Sequence, residues 1–321
     1  MEEPSHVQGE MGISLIPKFM NPRVSVIIPY YEGKSRLPGA AASVLGQTGV
    51  ELELIIVDDG SVSPAETEFL KDERVRLIRM GHAGKGAAVN RGTAAARGEI
   101  ICVLDQDDLM AEGRLARQAA ALDAGPETAA VYSDYERVGE NGERMDIFFS
   151  RQASNREMLH AMASGVSLIS MLAMAVRKRV LERLGGFSED PALTGLDDGE
   201  FFVRLICSGE RLLYVPGIAG QWVSHGGNYS KGAGFHDARL VFLSKLLALC
   251  SRYPMLQPEM KYFRAHAHAM RGIFFLEKGD YAGASEEFSA QVKSFPFGLN
   301  AYYLLAKAFL CGLIVKKGGR L

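Results

Sequence analysis

Between Glu99 and Asp108 the chain reads EIICVLDQDD, an apolar run that ends in three carboxylates within four positions. A stretch as apolar as IICVL reads as a strand buried on both faces, so Asp105, Asp107 and Asp108 fall where that strand leaves its sheet. Acids buried side by side repel one another and resist ionisation, which makes the cluster costly unless a cation sits on it. Hard oxygen ligands at this density suit Mn²⁺ or Mg²⁺, ions typically shared with a diphosphate. The plainer alternative is a surface turn of solvated aspartates.

Upstream the same design recurs. From Arg23 on, short β-branched runs alternate with helical stretches, the signature of a parallel sheet with helices on its faces. VSVIIP is the first strand, ending at Pro29. A polar loop, Tyr30 to Lys34, leads into a helix reaching about Gln47. ELELIIVDD is the second strand, with Asp58 and Asp59 at its carboxyl end, and a short helix is expected near Ala65 to Leu70. RVRLIRM is the third strand, and Lys85 to Ala96 is a helix whose entry, HAGKG, lets backbone come close to a ligand. In open α/β sheets ligands collect at the carboxyl ends of strands. Three strand ends rich in polar groups therefore point to one crevice.

Further on, the pattern predicts a helix over about Glu112 to Asp123, a strand in AAVYSDYERV, and a hairpin partner from Arg144 to Phe149 across Gly139 to Gly142. A helix near Asn155 to Ala163 follows, then strand and helix in MLAMAVRKRVLERLGGF, stopped by Gly185 and Gly186. GLDDGEFFVRLICSG is amphipathic at helical spacing and opens with acids, as a helix amino end favours. LLYVP is the last strand expected, ending at Pro216. From about Phe235 strand signals disappear and the chain reads as helical. There RGIFFLEKGDYAGASEEFSAQVKSFP resembles a tetratricopeptide helical hairpin turning at Gly279 and Asp280, although two packed helices bracing the α/β part read the same way.

Each candidate has a plain reading beside its functional one. Asp58 and Asp59 sit where a carboxylate accepts bonds from a base N–H or ribose hydroxyls, or where an aspartate merely caps a helix. Asp198, in GLDDGEF, is placed to act as a general base, or is a first-turn acid favoured by the helix dipole. His225, in WVSHGGNYS, completes a metal shell, contacts a phosphate, or is a loop histidine. Lys85 and Arg91 flank a helix start and would neutralise phosphate charge, or form a solvated face.

Hydrophobic residues make up 47% and charged residues 23% of the chain, which excludes a disordered or disulfide-built protein. A net charge of −2 removes a nucleic-acid polymer as partner. The four cysteines stand apart in apolar runs, as reduced core thiols do. With no basic start and apolar run in the first residues, they place the protein in the cytoplasm. Residues 1–21 read as a disordered leader. AYYLLAKAFLCGLIV, Ala301 to Val315, is shorter than the roughly 20 apolar residues of a span and contains Lys307. It reads as a packed terminal helix, the alternative being peripheral contact with the inner membrane face, helped by Lys316, Lys317 and Arg320.

VSVIIPYYEG, SVLGQTGVELELIIVDDGS, GKGAAVNRGTAAARGEIICVLDQDDLM, GGFSED, LDDGEFFVRL and SHGGNYS, in that order, resemble the family 2 glycosyltransferases over roughly Arg23 to Ser230. The resemblance implies a GT-A fold, an α/β nucleotide-diphospho-sugar transferase domain over 22–234, with a helical region over 235–321. It implies inverting, metal-dependent transfer from a nucleotide-sugar donor, a UDP-sugar above others, to a saccharide, glycolipid or protein hydroxyl, in cell-surface polysaccharide or glycolipid synthesis. Pro29, Tyr31, Glu32 and Asp58 would line the nucleotide site with Lys85 and Asn90 nearby. Asp105, Gln106 and Asp107 would form the motif joining metal, ribose and diphosphate, His225 would be a further metal ligand, and Asp198 would be the base. Asp197 departs from the more usual Glu, and Gly199 stands where an aromatic residue commonly follows the base. The QxxRW motif of processive synthases is absent, so single additions are expected. The rivals are a nucleotidyltransferase, a receiver-like signalling domain and a non-catalytic scaffold relative. PYYEGK lacks the glycine-rich basic loop of the first, and LDDGEF lies outside the second.

Overall fold

The computed structural model describes residues 22–33, 35–63, 65, 71–163, 167–228, 238, 241, 242, 244, 245, 253–296 and 299–316. The expected leader, the short helix after Ala65 and the boundary at 234/235 therefore lie outside the described residues. Nine strands form one sheet: β1 (Val24–Tyr30), β2 (Leu52–Asp58), β3 (Val75–Arg79), β4 (Ile100–Val103), β5 (Leu109–Met110), β6 (Thr128–Gly139), β7 (Arg144–Phe148), β8 (Met174–Arg177) and β9 (Arg211–Ser224). The order is β3-β2-β1-β4-β8-β6-β9-β5, with β7 paired to β6. β3-β2-β1-β4 and β6-β9 run parallel and carry most of the paired residues. The ladders at β8, β7 and β5 are antiparallel.

β1 and β2 are buried at every position, as expected of strands covered on both faces. One covering layer is α1 (Leu37–Leu45) and α3 (Arg114–Ala124), which share a core with Val24, Val26, Ile28, Leu54 and Ile56. The other contains α2 (Lys85–Ala95), α4 (Asn155–Ala163), α5 (Lys178–Arg183) and α6 (Asp197–Cys207), packed on Ile27, Ile55 and Val57. Alternate residues of one strand thus feed two cores, which is the period of two of a pleated sheet.

Two departures from regularity open the site. β1 pairs with β4 only as far as Ile27↔Val103, whereas its pairing with β2 continues to Tyr30↔Asp58. Pro29, which has no N–H to give, lies beyond the point where β4 has left. The chain after Val103 then swings away and is caught again by β5, which pairs with Gly220 and Gln221 of β9. β9 is the second departure. The sequence predicts an end at Pro216, but the strand runs on to Ser224 with shifts of register along β6. Those irregularities carry the ladder past Pro216 and Gly217.

Beyond the sheet, α7 (Met260–Glu277), α8 (Tyr281–Ser294) and α9 (Leu299–Lys316) form the helical region. α7 and α8 turn at Gly279, φ +76°, and Asp280 caps α8 by accepting from Gly283 N at 2.9 Å, as the Gly-Asp signal predicts. Gly272 of α7 lies so close to Phe288 that a Cβ would come within 2.4 Å of its ring. Phe263, Ala267 and Met270 join the α/β core, so this region is packed onto the sheet layers.

Candidate active site

The acidic loop is held from three sides. Gln106 spends its side chain on the loop after β1, accepting from Tyr31 N at 2.8 Å and donating to Tyr31 O at 3.1 Å. A Cβ on Gly33 would strike Gln106 at 2.3 Å, so that glycine is a packing requirement. Asp108, 2% exposed, accepts from Val223 N at 3.0 Å. Lys85, first residue of α2, reaches Asp105 with Nζ 2.7 Å from Oδ1. Ligand oxygens of Asp105, Asp107 and Asp108 lie within 4.8 Å of one another, the one metal-competent group among the described residues.

The stretch of β9 beyond Pro216 ends at His225, which is 4% exposed. Gly227 N donates to Nδ1 at 3.0 Å, so the proton of the neutral ring sits on Nε2. Nε2 lies 2.7 Å from Asp107 Oδ2. In this geometry His225 holds Asp107. Asn228, missed in the sequence, fixes His225 in turn, its Oδ1 accepting from the His225 backbone N–H at 2.6 Å.

α6 completes the crevice. Its first residues, Asp197 and Asp198, lie within electrostatic reach of Lys85 and Asp105. Burial works against the Lys85 ammonium, but Asp105, Asp197 and Asp198 outweigh it and hold its pKa above the ordinary value. Asp197 is pushed up to about 6, burial being the chief cause, opposed by Lys85 and reinforced by Asp198. Its Oδ2 is buried without a hydrogen bond. Burial likewise raises Asp198, against Lys85 and the Gly199 N–H. Asp108 is raised by burial and by the charges of Asp105 and Asp107. One lysine thus serves a cluster short of positive charge, which is what a divalent cation would supply.

The acids after β2 divide their roles. Asp59 is consumed by the chain, taking Ala83 N at 2.7 Å and Gly84 N at 2.9 Å. Asp58 accepts from Ser61 N at 2.9 Å through Oδ1, while Oδ2 has no hydrogen bond although the residue is fully buried. Tyr31, 47% exposed, stacks on His82 with ring centroids 4.3 Å apart. Glu32 is the sole non-glycine with positive φ, +50°, among the described residues, and its carboxylate takes Val62 N at 2.6 Å.

Asn90 and Gly86 both engage the chain itself. Asn90 donates to Phe187 O at 2.9 Å and Glu189 at 2.8 Å and accepts from Phe187 N at 2.8 Å. It ties α2 to the Gly185-Gly186 turn. Gly86, part of the glycine-bearing entry to α2, meets Ser188 O where a Cβ would stand only 2.2 Å away, so its close approach is to protein. Arg91 is exposed. Tyr135 was not singled out by the sequence, yet burial and the charges of Asp146, Asp198 and Asp108 push its pKa up to about 12, and its ring stacks on Phe148 with centroids 4.6 Å apart. Only the alternation of AAVYSDYERV carried any signal for it.

A mostly parallel sheet whose strands split above an acidic cluster is an α/β fold of the GT-A type. The chain belongs to glycosyl transferase family 2, whose family model matches residues 25–185. The crystal structure of residues 1–349 of TarS of S. aureus in complex with UDP-GlcNAc superposes with a TM-score of 0.65 over 92% of both chains at 14% identity. PcManGT of Pyrobaculum calidifontis, a mannosyltransferase in complex with GDP-Man and Mn²⁺, gives 0.52 over 91% of this chain and 81% of its own at 22% identity. Among curated proteins, the succinoglycan biosynthesis protein ExoO of Rhizobium meliloti is 39% identical over 34% of this chain and 32% of its own length. The uncharacterized protein y4gI of Sinorhizobium fredii is 30% identical over 60% of this chain and 21% of its own length. This chain therefore spans a third or less of these two relatives. No helix among the described residues is long and apolar enough to cross a membrane.

Proposed function

We propose that this chain transfers one sugar at a time, with inversion, from a nucleotide diphosphate donor to a hydroxyl acceptor. The observation that carries the reading is Lys85, bonded to Asp105 and flanked by Asp197 and Asp198, because it joins the acidic loop to the first turn of α6 in one charge network. Asp58 Oδ2, buried, without a hydrogen bond and 3.9 Å from Arg79 Nε, supports an acceptor for a base N–H, and the exposed face of Tyr31 supports stacking beside it. Asp105 and Lys85 flank the ribose and diphosphate. Asp107 and Asp108, with Asp105, form the oxygen set that suits Mg²⁺ or Mn²⁺. Such a cation, when bound, supplies Lewis-acid charge at the leaving diphosphate.

Asp198 is the general base. Its carboxylate takes the proton of the acceptor hydroxyl as that oxygen bonds to the anomeric carbon and the bond to the diphosphate breaks, and a pKa raised by burial improves its match to neutral pH. UDP is the favoured nucleotide, in keeping with the fold neighbour that binds UDP-GlcNAc. Polysaccharide synthesis is the favoured setting, in keeping with ExoO and with the O-antigen biosynthesis protein RfbC of Myxococcus xanthus, 29% identical over 57% of this chain and 14% of its own. Placement in the cytoplasm and the division at 234/235 belong to the same reading.

A thermal-shift panel of UDP, GDP, dTDP and CDP with Mn²⁺, Mg²⁺ or EDTA tests it. One nucleotide should stabilise the protein in a metal-dependent manner, and Asp107→Ala should lose that stabilisation. No shift with any of them would overturn the reading.

A further inference from the structure

α9 carries an apolar face that nothing in the described structure covers. Tyr302 is 46% exposed, Tyr303 64%, Phe309 61% and Leu310 57%. At 3.6 residues per turn, these four and Ala306 fall within an arc of about 120°. Ala308, fully buried, lies opposite, where Leu304 and Leu305 pack with Ile273, Phe275 and Leu276 of the α7–α8 hairpin. The helix is therefore fixed to the protein by one side and presents the other as a ready surface.

The sequence of this segment carries charge of a single sign. Lys307 is exposed at the border of that face. From Leu299 to Leu321 the sequence holds Lys307, Lys316, Lys317 and Arg320 and no acid, in a chain whose net charge is −2. Aromatic and aliphatic side chains flanked by lysine suit a helix lying in the plane of a bilayer interface. The helix does not meet the requirement for a span. A second copy docked face to face would set the same positive charges against one another.

We infer that α9 is a docking surface for an anionic lipid membrane, with Tyr302, Tyr303, Phe309 and Leu310 entering the interface and Lys307 facing acidic headgroups. The inference does not depend on the identity of the donor or of the base.

The test is flotation of the full chain with vesicles of phosphatidylcholine alone and with 30% phosphatidylglycerol. Wild type should float with the anionic vesicles and much less with the neutral ones. Phe309→Glu combined with Leu310→Glu should abolish flotation, while Lys307→Gln with Lys316→Gln should lower partition roughly 25-fold, about fivefold per charge. Phe149→Glu, at an exposed aromatic on the β7 side, should float like wild type. Light scattering and the melting temperature of each variant, together with the nucleotide thermal shift, separate loss of docking from loss of fold. Failure of wild type to float, equal flotation on both vesicles, or a dimer that the Phe309/Leu310 variant splits would each overturn the inference. Each would leave the nucleotide-dependent shift, and so the proposed function, untouched.

Discussion

The two ends of one sheet treat buried carboxylates in opposite ways. At the amino end, Glu53 on β2 is 1% exposed and takes Ser25 Oγ at 2.7 Å, Arg97 N at 2.7 Å, Arg97 Nε at 3.0 Å and Arg76 Nη1 at 3.0 Å. Burial raises its pKa, but the bonds from Arg97, Ser25 and Arg76 outweigh burial and leave it below the ordinary value. At the carboxyl end, Asp197 keeps a buried oxygen without a hydrogen bond, Asp58 Oδ2 has only the Arg79 guanidinium 3.9 Å away, and Asp108, Asp197 and Asp198 titrate above their ordinary values. A satisfied buried acid is a staple, whereas an acid left wanting is a receptor for charge the protein does not itself provide.

The comparison is tested most severely by Asp198→Asn. The amide keeps the shape but accepts no proton, so turnover should fall by 10²- to 10⁴-fold, while the nucleotide-induced thermal shift stays as in wild type. Unchanged turnover would remove Asp198 from the mechanism. Glu53→Gln breaks the other end. The substitution leaves Arg76 and Arg97 short of a charged partner; both are partly exposed, so solvent tempers the loss to about 2 kcal/mol. Chemical denaturation should show that loss, with the nucleotide response intact. Should Glu53→Gln impair binding rather than stability, the two ends would not be separable as staple and receptor.

Much of this contrast was legible in the sequence, for physical reasons that differ between residues. Asp105, Asp107 and Asp108 were readable because an apolar strand cannot end in three acids without consequence, and Asp198 because acids at the start of an amphipathic helix have a fixed position. Which of two adjacent acids matters was not readable. Asp58 and Asp59 are alike on paper, and only the folded loop shows that Ala83 and Gly84 N–H groups consume Asp59. The extension of β9 was hidden because Pro216 and Gly217 break strand propensity locally, while pairing with β6 and β5 restores it from afar. Without that extension His225 could be named, but its grip on Asp107 could not. Asn90 and Gln106 are ambiguous in the same way, since amides suit a ligand and a chain turn equally well.

The smallest effect is the most direct reading of unpaired charge. Asp197 sits at about 6 when folded, against 3.8 for the free side chain. A carboxyl whose folded pKa is raised binds its proton more tightly in the native state, so its contribution to stability is greatest below the unfolded value and declines as pH rises through 6. The ligand-free protein should therefore lose about 1 kcal/mol from this group between pH 5 and pH 7. Glu53 acts in the opposite sense. Its folded pKa is depressed, so its stabilisation is present above the ordinary carboxylate range and disappears as pH falls through the folded value, below the window in which Asp197 titrates. Asp197→Asn should flatten the decline between pH 5 and 7, as read by denaturant unfolding at each pH, and leave the acid limb in place. A decline that survives Asp197→Asn would assign the raised titration to Asp198 or Asp108 instead, and would move the strained member of the cluster from the start of α6 to the acidic loop.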